Sequence, residues 1–153
     1  MVISLEALSK QYQLLFDTMI IHPGKMNSVI AYARQMTANK ARYESVLAAV
    51  KKQFPASSIP WQFIACVHYM EAGLSFNRHL HNGDKLTART VQVPKGRPIS
   101  GQPPFTFEFS ATDALVYQGL HKETNWGIPN MLYKLEAYNG FGYRQYHNIN
   151  SPY

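Results

Sequence analysis

The chain has one cysteine, Cys66, so it has no internal disulfide framework and its redox compartment stays open. Cys66 lies among apolar neighbours and reads as a buried structural thiol rather than a nucleophile. Acids are scarce too: nine Asp and Glu stand against fifteen Lys and Arg, a formal charge of +6. That surface favours anionic partners, whether nucleic acid, acidic lipid or an anionic cell wall. The basic residues are scattered with no run longer than Lys51-Lys52, which argues against nucleic acid as the partner. No apolar run approaches the ~18–20 residues of a membrane span. In residues 1–21, Glu6, Lys10, Gln11 and Asp17 interrupt the apolar residues and no small-residue cleavage site follows, so no signal peptide is recognisable. Internal repeats and low-complexity segments are missing as well. A hydrophobic content of 46% in 153 residues is that of one globular domain.

The spacing predicts helices over 3–21 and 25–54, parted by His22-Pro23-Gly24. In the second, Val29, Ile30, Ala33, Met36, Tyr43, Val46, Leu47 and Val50 share a face expected to pack inward. Pro55 to Pro60 breaks the pattern, and a helix apolar almost all round follows over 60–73, central and stopped by Gly73. Asn82-Gly83 is a tight-turn pair, and Thr87 to Val93 alternates as a strand does. A Pro/Gly-rich loop covers 94–105. Ser110-x-x-Asp113 reads as a capping pattern opening a helix over 110–120, and a last helix runs over 128–140 to Gly140. The expected architecture is α+β and mainly helical, with a small β-hairpin excursion beside the helix at 60–73. One domain would span 1–153, with N-terminal helices over about 3–54 and a core over about 58–147.

With so few acids, each can be weighed. Glu6, Asp17, Glu44 and Glu123 fall on polar faces or loops. Asp113 and Glu108 sit near a helix start, and Glu136 lies in a tyrosine-rich helix as a candidate buried hydrogen-bond partner. Glu71 and Asp84 remain. Glu71 closes an apolar run, where burial of an unpaired carboxylate raises its pKa and leaves a proton to donate, the property of a general acid. The plainer alternative is a structural contact with a neighbouring His or Arg. Asp84 follows the Asn82-Gly83 turn, where an aspartate often serves backbone geometry. Two carboxylates across a cleft, in apolar and polar surroundings, also suit glycoside hydrolysis. His68, Glu71, His79 and His81 form a possible zinc set, without the supporting H-E-x-x-H pattern.

The strings "WQFIACVHYME" (61–71), "LHNGDKLTARTVQVPKGRP" (80–98), "PPFTFEFSATDAL" (103–115) and "LEAYNGFGYR" (135–144) carry a resemblance. They resemble bacterial and phage lysozyme-like peptidoglycan hydrolases, and "AYNG" is similar to an element of goose-type lysozymes and lytic transglycosylases. The resemblance implies Glu71 as the catalytic acid and Asp84 as the loop aspartate that activates water or stabilises an oxocarbenium ion. It implies Tyr138 and Asn139 as the pair shaping the cleft. Thr87 and Thr90 would help place water near Asp84, and His81 and Asn82 would line the sugar cleft, with His68 tuning the acid. Tyr143, with Trp126 and Phe141, is a candidate to stack on sugar rings. Lys85 replaces the family's proline, Glu71-Ala72 replaces glutamate–serine, and the transglycosylase "GLMQ" element is missing. The expectation is a monomeric muramidase on peptidoglycan at the periplasm or cell wall, without metal or cofactor. A lytic transglycosylase, a zinc-dependent wall peptidase and a non-catalytic wall-binding domain are its alternatives.

Overall fold

The structure is a computed structural model that describes residues 3–147. Seven α-helices occur among them: α1 (Leu5–Thr18), α2 (Met26–Ala38), α3 (Lys40–Gln53), α4 (Trp61–Ala72), α5 (Phe107–Tyr117), α6 (Ile128–Asn139) and α7 (Gly142–His147). Short 3-10 turns lie at Pro23–Lys25 and Leu120–Lys122. None of these helices is long and apolar enough to cross a membrane. The chain divides into two compact units, one made of residues up to Asn27 and from Asn125 on, the other of Ser28–Thr124.

In the first unit α1 packs on α6. Ser4 caps α1, its hydroxyl accepting from the Ala7 amide at 3.2 Å, and Leu8 and Tyr12 are the residues the helix buries. Glu136 is buried on α6 and accepts from the Tyr12 hydroxyl and, at 2.7 Å, from Arg144 Nε. Arg144 also donates to the Gln11 side chain at 2.7 Å. Burial and the Glu136 carboxylate push the Tyr12 hydroxyl well above its ordinary pKa. Glu136 is thus the buried hydrogen-bond partner its setting suggested.

The second unit is built on α4, whose Phe63, Ile64, Ala65, Val67 and His68 are buried against α3 and the segments around it. Pro60 precedes the first turn, and Gly73 ends the helix with φ +56°, its amide donating to the Tyr69 carbonyl at 3.0 Å. Tyr43 of α3, His68 of α4, Phe76 and Phe107 of α5 form an aromatic cluster with His68, Phe76 and Phe107 ring centres 4.5–4.8 Å apart.

Three expectations are corrected. No strand occurs among the described residues, so the fold is helical rather than α+β, and the β-hairpin excursion is not there. A single bridge joins Arg78 and Lys85. The donors of the alternating stretch go elsewhere: the Val91 and Gln92 amides to the Asp84 carboxylate, and the Thr90 amide to the Arg97 carbonyl at 2.8 Å. The expected helix over 25–54 is two helices. At Asn39 the side-chain amide takes the Gln35 carbonyl at 2.9 Å, competing with the helical bond. Helix α2 buries no residue fully: Val29, Ile30 and Ala33 are exposed and Met36 is half-buried, whereas Tyr43, Val46 and Val50 of α3 are buried. Finally, α5 starts at Phe107 and not at Ser110. Its cap is Thr106, whose hydroxyl accepts from the Phe109 amide at 3.2 Å, and Ser110 and Asp113 lie inside the helix.

Candidate functional site

Glu71 stands one residue before the end of α4, half-buried, and forms no hydrogen bond or ion pair among the described residues. The structural-contact alternative is therefore unsupported. His68, one turn earlier, turns instead into the aromatic cluster, its Nδ1 3.0 Å from the Tyr43 hydroxyl. Burial alone raises the Glu71 carboxyl from about 4.5 to about 7. A carboxyl titrating there is protonated in a large fraction of molecules at neutral pH, yet is acidic enough to release its proton.

The turn that carries Asp84 is seated on the end of this helix. Gly83 lies so close to Glu71 that a Cβ on it would sit 2.2 Å from the Glu71 carbonyl oxygen. Its φ of +76° demands glycine independently. The Arg78 guanidinium fastens the turn by donating to the Gly83 carbonyl at 2.7 Å, and the Gly83 amide donates to the His79 carbonyl at 3.0 Å. Neither Gly83 nor Arg78 stood out in the sequence as a site residue. The Asn-Gly pair signalled a turn but not what the turn touches.

Asp84 has the opposite electrostatic setting. Burial works against its charge, but the Gln92 and Val91 amides, at 3.0 and 2.8 Å from Oδ2, and the Asn82 side chain outweigh it and hold the carboxyl below the ordinary aspartate range. Oδ1 makes no hydrogen bond among the described residues. The site thus holds one carboxyl pushed up and, on the adjoining turn, one pushed down, the division of labour used for acid and base chemistry.

Loss of the Asp84 charge should loosen this turn. Asp84→Ala is expected to cost about 1–2 kcal/mol of unfolding free energy, and Asp84→Asn less, because an amide oxygen still accepts. Since the folded-state pKa is depressed, this stabilisation is present above the ordinary aspartate pKa and is lost as pH falls through the lower folded value. Urea titrations of both variants near neutrality and at acid pH check it.

The remaining sequence candidates sort by environment. Asn82 is committed to the loop: its side-chain oxygen accepts from the Asp84 amide at 3.1 Å and its NH2 donates to Asp84 and to the Gln92 carbonyl. Thr90 is buried, its hydroxyl donating to the Pro94 carbonyl and accepting from the Arg97 amide at 2.8 Å. Thr87 is exposed and lines a groove of about 360 Å³ with Arg42, Asn77, Phe105 and Phe107. His81 is buried, its Nε2 donating to Asp113 at 2.8 Å, and Arg97 holds the same carboxylate at 2.6 and 3.0 Å. This trio ties the irregular 74–106 segment to α5. In the other unit, Asn139 and Tyr143 border a pocket of about 280 Å³ with Gly140, Tyr146 and His147, and Tyr138 is half-buried.

The zinc alternative loses its geometry. His79 is fully buried with Nε2 donating to the Ala88 carbonyl at 2.8 Å and Nδ1 accepting from the Ser110 hydroxyl at 2.6 Å, and burial lowers its pKa. No three His, Cys, Asp or Glu side chains among the described residues are placed to hold a metal ion.

Titration of Glu71 gives a second expectation. A carboxyl whose folded pKa is raised favours the folded state while it is neutral, so its contribution is complete below about pH 4.5 and declines as pH rises to about 7. With solvent reaching the half-exposed group, the decline is of order 1 kcal/mol. Unfolding free energy measured across this range should slope downward in the parent protein and flatten in Glu71→Gln.

No protein-family model matches the chain, and neither a curated protein nor a solved structure matches it.

Proposed function

We propose that this protein hydrolyses the glycan strand of peptidoglycan, with Glu71 as the general acid. The observation that carries the reading is the unpartnered, half-buried Glu71 carboxyl, lifted to about 7 and abutted by the turn bearing an ionised aspartate. Glu71 protonates the glycosidic oxygen as the bond to the anomeric carbon breaks. Asp84, through its uncommitted Oδ1, stabilises the developing oxocarbenium ion or orients the attacking water. The charge of +6 draws the enzyme to an anionic wall, where it works as a monomer at the periplasm or cell wall.

One observation favours a second outcome. Asp84 Oδ2 receives three donors from its own loop, and an aspartate tied down in this way suits a site where the substrate's own hydroxyl closes the reaction, as in a lytic transglycosylase.

The test is to incubate the purified protein with peptidoglycan, with and without a chelator, and analyse the products. New reducing ends, unaffected by chelator, are expected. Anhydro-sugar ends would select the transglycosylase outcome. New amines that vanish with chelator would replace the proposal with a peptidase. Binding without any product would replace it with a wall-binding role.

A further inference from the structure

Beside the turn that carries Asp84 lies a groove whose polar atoms the proposed cleavage leaves unassigned. Residues 76–79 and 84–87 run antiparallel around the Arg78–Lys85 bridge. The His79 amide donates to the Asp84 carbonyl at 2.7 Å and the Leu86 amide to the Asn77 carbonyl at 3.1 Å. The closed end of this pair is the Gly83 turn, seated on the end of α4 at Glu71. Its open end, Asn77 and Thr87, borders the groove of about 360 Å³. Thr87 follows Asp84 by three residues, so their Cα atoms are at most about 11 Å apart. That is a separation a short oligosaccharide covers.

The wall of the groove is fixed, while several of its polar atoms are free. Phe76 and Phe107 pack on the buried His68 ring at 4.6 and 4.5 Å between centres. The Arg42 guanidinium lies 3.8 Å over the Phe76 ring and donates through Nε to Glu108 Oε1 at 2.6 Å, two contacts that set its orientation. Its Nη1 and Nη2 donate to nothing among the described residues, and Glu108 Oε2 accepts from no other residue there. Burial opposes the Glu108 charge, but Arg42 outweighs it and holds the carboxyl below the ordinary glutamate range. The Asn77 side-chain amide and the Thr87 hydroxyl, both on exposed residues, are uncommitted as well.

These atoms define a ligand. A cation and an anion side by side largely cancel, so a charged ligand gains little from them. The pair offers donors at Nη1 and Nη2 next to an acceptor at Oε2, edged by an amide and a hydroxyl that can do both. An acetamido sugar presents the complement. Its carbonyl accepts from the guanidinium, its amide N–H donates to Glu108, its hydroxyls meet Asn77 and Thr87, and its methyl rests on the phenylalanine rings.

We propose that the groove bordered by Arg42, Asn77, Thr87 and Phe105 is a subsite for an N-acetylamino sugar, in which the Arg42–Glu108 pair reads the acetamido group. The inference rests on glycan cleavage at Glu71 as the reaction this sugar unit serves.

The test measures binding of the β-1,4 N-acetylglucosamine tetramer to the full Glu71→Gln chain by calorimetry. Binding is expected, and at least tenfold weaker for the β-1,4 glucose tetramer, which lacks the acetamido groups. Adding Asn77→Ala or Thr87→Ala should weaken the acetylated tetramer about three- to tenfold each. Arg42→Lys, which keeps a charge for Glu108 but loses the planar fork, should weaken it about tenfold or more. Ser45→Ala, in a separate groove that Glu108 also borders, should bind as the Glu71→Gln chain does. Asn77 and Thr87 are exposed, so unchanged far-UV circular dichroism is expected of both variants. In the chain with Glu71 restored, the same two changes should raise KM on peptidoglycan and leave kcat within about twofold. Failure of the acetylated tetramer to bind would overturn the proposal, as would equal binding of the glucose tetramer. So would parent-like binding by both Asn77→Ala and Thr87→Ala, or a fall in their kcat at unchanged KM. Cleavage that survives Glu71→Gln would instead remove the acid, and leave the groove to be judged by the binding measurements.

Discussion

Glu71→Gln is expected to lower the release of reducing ends from peptidoglycan by about 100- to 10,000-fold, the range associated with a positioned general acid. The substitution is close to isosteric, and the carboxyl it removes has no hydrogen-bond or ion-pair partner among the described residues. The variant should therefore fold as the parent does, which separates lost chemistry from lost structure. The pH dependence carries the same signature. Donation requires the protonated form, so the rate should fall as pH rises through about 7, the value to which burial lifts this group. A mixed result is informative: normal folding with an undiminished rate would remove Glu71 from the chemistry.

The second large effect concerns the glycine beneath that acid. Gly83→Ala should cost about 3–5 kcal/mol, the range reserved for steric conflicts that a structure cannot relax. Its new methyl would meet the Glu71 carbonyl oxygen at 2.2 Å, and that oxygen is helix backbone rather than a side chain free to swing away. The turn is also pinned through its own amide and carbonyl, to His79 and Arg78. Gly96→Ala supplies the control. Gly96 has φ +80° but nothing within 4 Å of the added carbon, so only the conformational cost of about 1 kcal/mol applies. Denaturant titrations of the pair isolate the close approach. Equal costs would mean the turn does not rest on the helix. Activity of Gly83→Ala, measured on the fraction still folded, should also drop, because the backbone displaced is the one that aims Glu71.

What could be read from the sequence follows from where the signal is local. Helix α4 was legible because its run of apolar residues is nearly unbroken, and Gly73 and Gly140 mark real ends. The raised pKa of Glu71 was legible for the same reason: its neighbours along the helix offer little to pair with. The stretch from Thr87 to Val93 misled because alternation reports only which side chains point inward. It does not say whether amides meet another strand or, as here, a carboxylate and nearby carbonyls. Ser110 and Asp113 have the spacing of a helix cap, yet both serve histidines of the preceding segment, a tertiary role that spacing cannot express. The exposed face of α2 was unreadable in principle. Its periodicity is that of a packing helix, and the sequence does not record whether the partner is part of the same chain.

The unit built from both ends of the chain has a consequence for biosynthesis. Tyr12 finds Glu136 across 124 positions and Gln11 finds Arg144 across 133, whereas Ser28–Thr124 is continuous. On the ribosome the continuous stretch is complete before α6 has been made. At ordinary elongation rates α1 then waits roughly ten seconds, with Leu8 and Tyr12 uncovered, before its partner helix emerges. The oldest residues of the nascent chain are thus among the last to settle, and a chaperone that shields α1 during this interval would affect yield without touching the finished protein.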